Sequence, residues 1–166
     1  NSLKQINFFR MEYRINRLSL SFKENGFLWT ILYLLKRATH WDVFSRKLKS
    51  LEQKKKYPGW NSVNQNRLTW NNWNWNELGE EWTKSQGWKD KLVTQIIQNL
   101  IPDNSSIIEI GPGGGRWSEH LLKKTSRLDL VDISEKCLEL CRQRFGNNSS
   151  IGYNLINEVK FTFADT

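Results

Sequence analysis

A glycine-rich segment between a predicted strand and a predicted helix carries the strongest chemical signal in this sequence. It contains, in order, Glu109, Gly111, Pro112, Gly113, Gly114, Gly115 and Arg116. Glycine suits a tight turn at the carboxyl end of a parallel strand because it accepts positive φ and leaves no Cβ in the way of a ligand. The backbone N–H groups that open the following helix can bind a carboxylate or a phosphate. The segment therefore predicts a small-molecule site, although a glycine-rich turn alone is a weak signal.

An acidic residue at the end of the next predicted strand strengthens this prediction. Asp132 closes the run 128–132 and lies twenty-one residues beyond Gly111. A carboxylate at a strand tip can accept hydrogen bonds from both hydroxyls of a ribose. The alternative is that Asp132 is a surface carboxylate that caps the helix beginning near Ser134. The strand, loop, helix, strand and acid in this order favour an adenosine ligand.

The spacing of the glycines distinguishes between adenosine ligands. A dinucleotide site requires GxGxxG, but the sixth position counted from Gly111 is Arg116. The observed spacing is GxGxG, with an acid two residues upstream. In these features the chain resembles the class I methyltransferases that use S-adenosylmethionine, whose first motif matches Glu109, Gly111, Gly113 and Gly115. Their acid at the end of the second strand matches Asp132.

This resemblance implies a role for each matched residue. The loop that contains Gly111, Pro112, Gly113 and Gly115 would hold the methionine part of the cofactor, and Glu109 would orient that loop or reach the amino group. Asp132 would bind the ribose, and Ile133 would pack on the adenine. Asn157 is the predicted contact of the adenine N6, unless the third strand is Val159 to Ala164, in which case Asp165 takes that role. The resemblance identifies no catalytic base, because methyl transfer depends mainly on positioning.

Three further motifs resemble methyltransferases associated with bacterial surface-glycan and glycosyltransferase genes. They are Gly79-Glu80-Glu81-Trp82, Gly115-Arg116-Trp117 and the run from Asp132 to Cys137. The resemblance covers residues 70–166 and implies a sugar or glycan precursor as the acceptor. An RNA acceptor is the alternative within enzymes. A non-catalytic, membrane-associated interaction module with a vestigial nucleotide loop is the alternative outside them.

Apolar runs and helical apolar stripes predict the elements that position these residues. Strands are expected at 107–110, 128–133 and 151–155, and helices at 88–100, 117–125 and 134–145, the last with Ser134 as its N-cap. This βαβαβ order predicts a Rossmann-like, doubly wound α/β sheet with parallel strands. Because the chain begins at Asn1 rather than Met and ends at Thr166 without a closing element, we expect a piece of a longer protein. The sheet would then be truncated after about three strands, and the fragment by itself would be inactive.

The basic charge is confined to the N-terminal third. Residues 1–60 contain thirteen Lys and Arg against four Asp and Glu, whereas the remaining residues contain twelve against thirteen. Apolar residues spaced by three and four predict an amphipathic helix that ends at Asn25-Gly26, and a second helix from about Phe27 to Lys56. The pattern favours contact with an anionic membrane surface over nucleic acid, because the apolar positions carry large side chains. A protein partner is the third alternative.

Between Trp60 and Trp88 the sequence is rich in Trp and Asn and shows no sustained period. Its tryptophans either pin an irregular segment to the sheet or stack on a ligand. We expect a linker or lid, with Trp82 near the sulfonium. The predicted organisation is a basic amphipathic helical arm over 1–57, this linker or lid over 58–88, and the N-terminal half of a methyltransferase domain over 89–166.

The cysteines favour a reducing, cytoplasmic location. Cys137 and Cys141 are the only two in the sequence, and their spacing of four on a predicted helix suits neither a disulfide nor, without further ligands, a metal site. No apolar run reaches the roughly 20 residues of a membrane-spanning helix. The sequence therefore predicts a cytoplasmic protein with peripheral membrane contact through residues 1–57.

Overall fold

The computed structural model describes residues 2–156, and it describes side chains from Arg10 onward. The chain divides into two compact units, one that extends to Thr69 and one that begins at Trp70. Within residues 2–156, no helix combines the length and the apolar character that crossing a bilayer requires. The predicted residues Asn157 and Asp165, and the alternative strand 159–164, lie outside the described part of the chain.

The first unit is helical. Its elements are α1 (Ser2–Thr39), α2 (Asp42–Lys55), a 3₁₀ turn (Gly59–Asn61) and α3 (Val63–Asn71), whose last turn lies beyond Thr69. Gly26 interrupts α1 with φ 74° and ψ 171°, as the Asn25-Gly26 pair predicts. The single helix expected from Phe27 to Lys56 is wrong, because the chain leaves helical geometry at His40, where φ is 56°. Helix α3 was not predicted, since its polar sequence lacks an apolar period.

A small apolar core and a buried polar contact hold the helical unit together. Trp29, Leu32 and Leu48 form the core. At the break in α1 the buried Asn25 side chain donates to the Gly59 carbonyl at 3.1 Å and accepts from the Gly59 N–H at 2.8 Å. These two bonds satisfy backbone groups that the turn leaves without helical partners.

The second unit is α/β. It consists of a 3₁₀ turn (Glu80–Trp82), α4 (Gln86–Leu92) with a π-helical continuation (Val93–Gln98), β1 (Ser105–Ile110), α5 (Ser118–Leu121), β2 (Thr125–Asp132), α6 (Glu135–Phe145) and β3 (Ile151–Leu155). The strands form a parallel sheet in the order β1-β2-β3. The predicted Rossmann-like α/β class is confirmed. The helix expected over 117–125 is shorter, because β2 already begins at Thr125.

The register of the sheet brings the ends of its strands together. Ile110 at the end of β1 lies beside Val131, and Asp132 at the end of β2 lies beside Leu155. Leu128 and Leu130 in β2 pack with Leu138 from α6, and all three are fully buried. This core holds α6 against the sheet, so the residues that follow the three strands converge at one edge.

Candidate functional site

The glycine loop after β1 is a tight turn of left-handed residues. Gly111, Gly113 and Gly115 have φ of 71°, 58° and 81°. The Gly111 N–H donates to the carbonyl of Val131 at 2.8 Å, and the Gly115 N–H donates to the carbonyl of Pro112 at 2.9 Å. Left-handed geometry is costly for any residue with a Cβ, so the GxGxG spacing is explained by the backbone alone.

The three left-handed glycines differ in what lies beside them. A Cβ on Gly115 would lie 2.7 Å from the ring of Phe145, and one on Gly113 would lie 3.0 Å from the ring of Trp75. A Cβ on Gly111 would meet nothing within 4 Å. The absence of a Cβ at Gly115 and Gly113 therefore leaves room for the rings of Phe145 and Trp75. Gly111 instead faces open space that a ligand can use.

Gly114, the fourth glycine of the loop, is required for a different reason. Gly114 does not have positive φ, but a Cβ there would lie 2.4 Å from the carbonyl oxygen of Leu78. The backbone of the tryptophan-rich segment thus rests directly on the loop. Sequence reasoning attributed the glycines to a turn and a ligand, and it did not foresee this contact.

Asp132 lies beside the loop and is almost fully buried. Its Oδ1 accepts from the Ser134 N–H at 2.8 Å, and the backbone N–H groups of Gly113 and Ile133 also face the carboxylate. Burial raises the pKa of Asp132, and these hydrogen bonds lower it by less. Ser134 itself caps α6 by accepting from the Cys137 N–H at 3.2 Å. Asp132 therefore supports the start of α6, as the alternative of a helix-capping carboxylate predicted. It is a buried group, however, and not a surface one.

Glu109 lies behind the loop. Its Oε2 accepts a hydrogen bond from the hydroxyl of Ser118, in α5, at 2.6 Å. Burial raises the pKa of Glu109, and the bond from Ser118 opposes this only in part. In register Glu109 is beside Leu130, on the face of the sheet that carries the core. The side chain thus ties β1 to the helix on the far side of the loop.

A cavity of about 350 Å³ lies at the edge where these elements meet. This volume is in the range of small-molecule sites. Five predicted residues line it: Gly111, Pro112, Gly113, Asp132 and Ile133. Glu109 and Gly115 are not among its lining residues; they support the loop from outside. Residues that sequence reasoning did not assign to the site also line it, namely Trp70, Trp75, Leu78, Gly79, Ile110, Gly114, Arg116, Trp117, Val131, Cys137 and Ile156.

Three indole rings form one wall of this cavity. Trp75 packs edge-on against Trp82 with ring centroids 5.7 Å apart, and Trp70 packs edge-on against Trp82 at 6.0 Å. The Trp75 Nε1 donates to the carbonyl of Trp70 at 3.0 Å. Trp82 was the tryptophan expected near the ligand, and it lines the cavity with Trp75 and Trp70. The motif that ends at Trp82 identified one member of this wall, and the close spacing of Trp70, Trp73 and Trp75 is the sequence signal that could have identified the other two.

A polar cluster holds the Gly79–Trp82 turn beside the loop. Glu80 accepts from Lys89 at 2.5 Å and from the Thr83 hydroxyl at 2.8 Å, and Thr83 accepts from Arg116 at 3.2 Å. Burial raises the pKa of Glu80, but the bonds from Lys89 and Thr83 outweigh it, so the pKa is lowered overall. The Arg116 guanidinium also lies 4.8 Å from the ring centre of Trp117. Arg116 therefore links the loop to the turn.

Both cysteines are buried and free. Burial raises the pKa of each thiol to about 12, so both remain protonated at neutral pH. The Cys141 thiol lies 3.4 Å from the carbonyl of Gly113, to which it donates. Cys137 lines the cavity beside Asp132. Both cysteines act here as small buried residues.

This arrangement suits a ligand with a hydroxylated part and an apolar part. Asp132 offers a carboxylate and the loop offers bare backbone, while Arg116 and Cys137 are the other polar members of walls that are otherwise aromatic or aliphatic. The second unit is thus a Rossmann-like α/β sheet with a candidate ligand crevice at the carboxyl ends of its strands.

Comparison with known proteins points to methyltransferases. The chain is similar to proteins named ribosomal RNA small subunit methyltransferase A. It is 38% identical to that of Borreliella burgdorferi over 66 residues, which are 39% of this chain and 24% of the relative. The protein of Pseudomonas aeruginosa is 32% identical over 74 residues, or 44% of this chain and 28% of the relative. That of Fusobacterium nucleatum is 31% identical over 71 residues, or 42% and 26%.

The chain thus spans about a quarter of the length of these relatives. No protein-family model matches the chain, and no solved structure matches it. The similarities agree with the predicted methyltransferase class, and they do not bear on the predicted association with glycan genes.

Proposed function

We propose that this chain binds S-adenosylmethionine and serves an S-adenosylmethionine-dependent methyltransferase. One observation carries the proposal: the glycine loop and the carboxylate of Asp132 line the same cavity. The relatives named as methyltransferases support the class of reaction. The predicted domain organisation, with a tryptophan-rich linker or lid over 58–88, forms part of this proposal.

The residues of the cavity fit this cofactor. Gly111 exposes bare backbone to open space, which suits the methionine part. Asp132 is buried beside that loop and can accept from ribose hydroxyls. Ile133 and Ile156 offer apolar surface for the adenine. Asn157 lies outside the described residues, and its contact with the adenine N6 stays a prediction from the sequence.

The protein's contribution to the reaction is placement. When bound, the cofactor supplies an electrophilic methyl group on its sulfonium. Asp132 and the loop would hold the adenosine and methionine parts in one orientation, and the indole wall would exclude water from the same cavity. We assign no general base, since Asp132 is the one carboxylate, and no imidazole is found, among the cavity-lining residues of the described part of the chain.

Two acceptor classes are candidates, each with its own observation. RNA is supported by the names of the relatives. A sugar or glycan precursor is supported by the three short motifs at Gly79–Trp82, Gly115–Trp117 and Asp132–Cys137. Transfer of a radiolabelled methyl group to small-subunit ribosomal RNA, measured beside transfer to nucleotide-linked sugars, distinguishes them.

Calorimetric titration with S-adenosylhomocysteine tests cofactor binding. We expect Asp132→Asn to weaken binding about 10- to 100-fold, because a charged acceptor contributes about 1.5–3 kcal/mol. Asp129→Asn is the matched control, since Asp129 is in the same strand but pairs with Arg127 at 2.8 Å and does not line the cavity. Equal affinities of the two variants, or no binding by the unsubstituted chain, would contradict the proposal.

A further inference from the structure

An exposed apolar stripe runs along the first half of α1. Met11, Ile15 and Phe22 are spaced so that they lie on one face of the helix. Met11 is 55% exposed and Ile15 is 57% exposed. Large apolar side chains that share one exposed face indicate a surface that binds something.

The stripe continues past the break in α1. The ring of Phe22 stacks on that of Phe27, with centroids 5.8 Å apart. Phe27 is 73% exposed, and Leu28 beside it is also exposed. The two halves of α1 therefore present one continuous apolar surface, made of Met11, Ile15, Phe22, Phe27 and Leu28, which we call the α1 stripe.

The α1 stripe is not part of the core of its own unit. That core is formed by Trp29, Leu32 and Leu48, which face inward and are buried. The Trp29 Nε1 donates to Glu52 at 3.1 Å, so the inward face also has its polar groups satisfied. The stripe is thus apolar surface beyond what the fold of this unit requires.

Positive charge surrounds the stripe. Arg10, Arg14 and Lys23 are exposed on the same helix. Two of the four acids in residues 1–60 are engaged inside the unit: Glu24 accepts from Ser62 at 2.6 Å, and Glu52 accepts from Trp29. Glu12 is the one exposed acid among residues 10–28, so the exposed charge on this part of α1 remains net positive.

We infer that the α1 stripe docks on the surface of an anionic phospholipid bilayer, with α1 in the plane of the interface. Apolar side chains would enter the boundary between headgroups and acyl chains, and the arginines and lysine would meet lipid phosphates. The phosphates of a nucleic acid duplex would use the cations but make no use of large exposed apolar side chains. This inference does not depend on the proposed function, because the cavity lies wholly in the second unit.

Vesicle sedimentation of the intact chain tests the inference. The vesicles contain phosphatidylcholine alone or phosphatidylcholine with about one-third phosphatidylglycerol. We expect binding to the anionic vesicles, little binding to the neutral ones, and weaker binding as salt is raised.

Matched variants separate a lipid surface from a simple polyanion. The double variant Ile15→Ser/Phe27→Ser should lower vesicle binding about tenfold, since both side chains leave the acyl boundary. Leu100→Ser is the control: Leu100 is 71% exposed and belongs to the second unit, so binding should not change. Arg14→Gln/Lys23→Gln should weaken binding only to anionic vesicles. Equal thermal unfolding of the variants establishes that each is folded.

Two results would overturn the inference. One is the absence of binding to anionic vesicles by the intact chain. The other is binding that Arg14→Gln/Lys23→Gln abolishes but Ile15→Ser/Phe27→Ser leaves intact, especially if structured RNA competes with the vesicles. That pattern would assign the basic surface to a polyanion such as RNA, while titration with S-adenosylhomocysteine would still report on the cavity independently.

Discussion

The backbone N–H of Gly113 faces the carboxylate of Asp132, although the two residues are nineteen positions apart in the chain. The contact joins the loop after β1 to the end of β2. It places the bare backbone and the acid, which the sequence predicts to share an adenosine, at one cavity. The proposed function rests on this relationship.

The pKa of Asp132 predicts how cofactor affinity depends on pH. Burial raises this pKa above the ordinary value of 3.8, so the carboxyl gains a proton at a higher pH than a surface aspartate does. A protonated carboxyl is a weaker acceptor for ribose hydroxyls, and affinity should therefore fall as pH falls through the raised pKa. Calorimetric titration with S-adenosylhomocysteine between about pH 4 and 8 measures this. Asp132→Asn should give a flat profile, and an identical slope in the variant would exclude Asp132 as its source.

Glu109→Gln should change the pH dependence of stability. Because the pKa of Glu109 is raised in the folded state, the folded chain holds this proton more tightly, and stability is lost as pH rises from about 4.5 through the raised pKa. Glutamine keeps an acceptor for Ser118 without the buried charge. We expect a variant that equals the unsubstituted chain near pH 4.5 and is up to about 1 kcal/mol more stable at neutral pH, as measured by urea unfolding.

Glu119→Gln is the control for Glu109→Gln, because it should change the stability at neutral pH in the opposite direction. The hydrogen bond from Arg144 lowers the pKa of Glu119, so this carboxylate stabilises the fold above its unfolded pKa. The variant should lose stability at neutral pH and match the unsubstituted chain in acid. If both glutamine variants shifted stability in the same direction, the burial argument for Glu109 would be wrong.

Alanine substitutions in the loop should separate packing from binding. Gly115→Ala places a Cβ against the ring of Phe145 and also strains a left-handed residue, so we expect more than about 2 kcal/mol of destabilisation in urea unfolding. Gly111→Ala carries only the backbone cost, about 1–2 kcal/mol, because its Cβ meets open space. It should nevertheless weaken S-adenosylhomocysteine binding at temperatures where the variant is folded. Unchanged affinity in folded Gly111→Ala would show that the ligand does not approach this backbone.

The tryptophan wall gives a prediction with an internal control. Trp82 lines the cavity, whereas Trp73 does not and donates instead to Glu81 at 2.9 Å. The two rings lie 5.4 Å apart in one cluster and are exposed to similar extents. We expect Trp82→Ala to weaken binding of S-adenosylhomocysteine, and Trp73→Ala to cost stability alone. Affinity that survives Trp82→Ala unchanged would remove the proposed lid.

Local sequence determined the elements whose signals are local. The strand at 151–155, the N-cap at Ser134 and the break at Gly26 follow from a short apolar run after a turn, from hydroxyl capping and from backbone freedom, and each is found at its expected residues. Helix α3 was not predicted because its polar sequence has no apolar period. The break at His40 in the predicted helix from Phe27 was also not predicted, because no Gly or Pro marks that position.

The site shows the same division between local and tertiary information. The sequence by itself determined the glycine turn and the acid at the next strand tip, because spacing along neighbouring strands predicts which ends meet. Only the tertiary structure decided that Trp75 covers Gly113, that Leu78 rests on Gly114 and that Glu109 faces Ser118 rather than the cavity. Those contacts join segments distant in the chain, and packing among them depends on shape and volume, which no local pattern encodes.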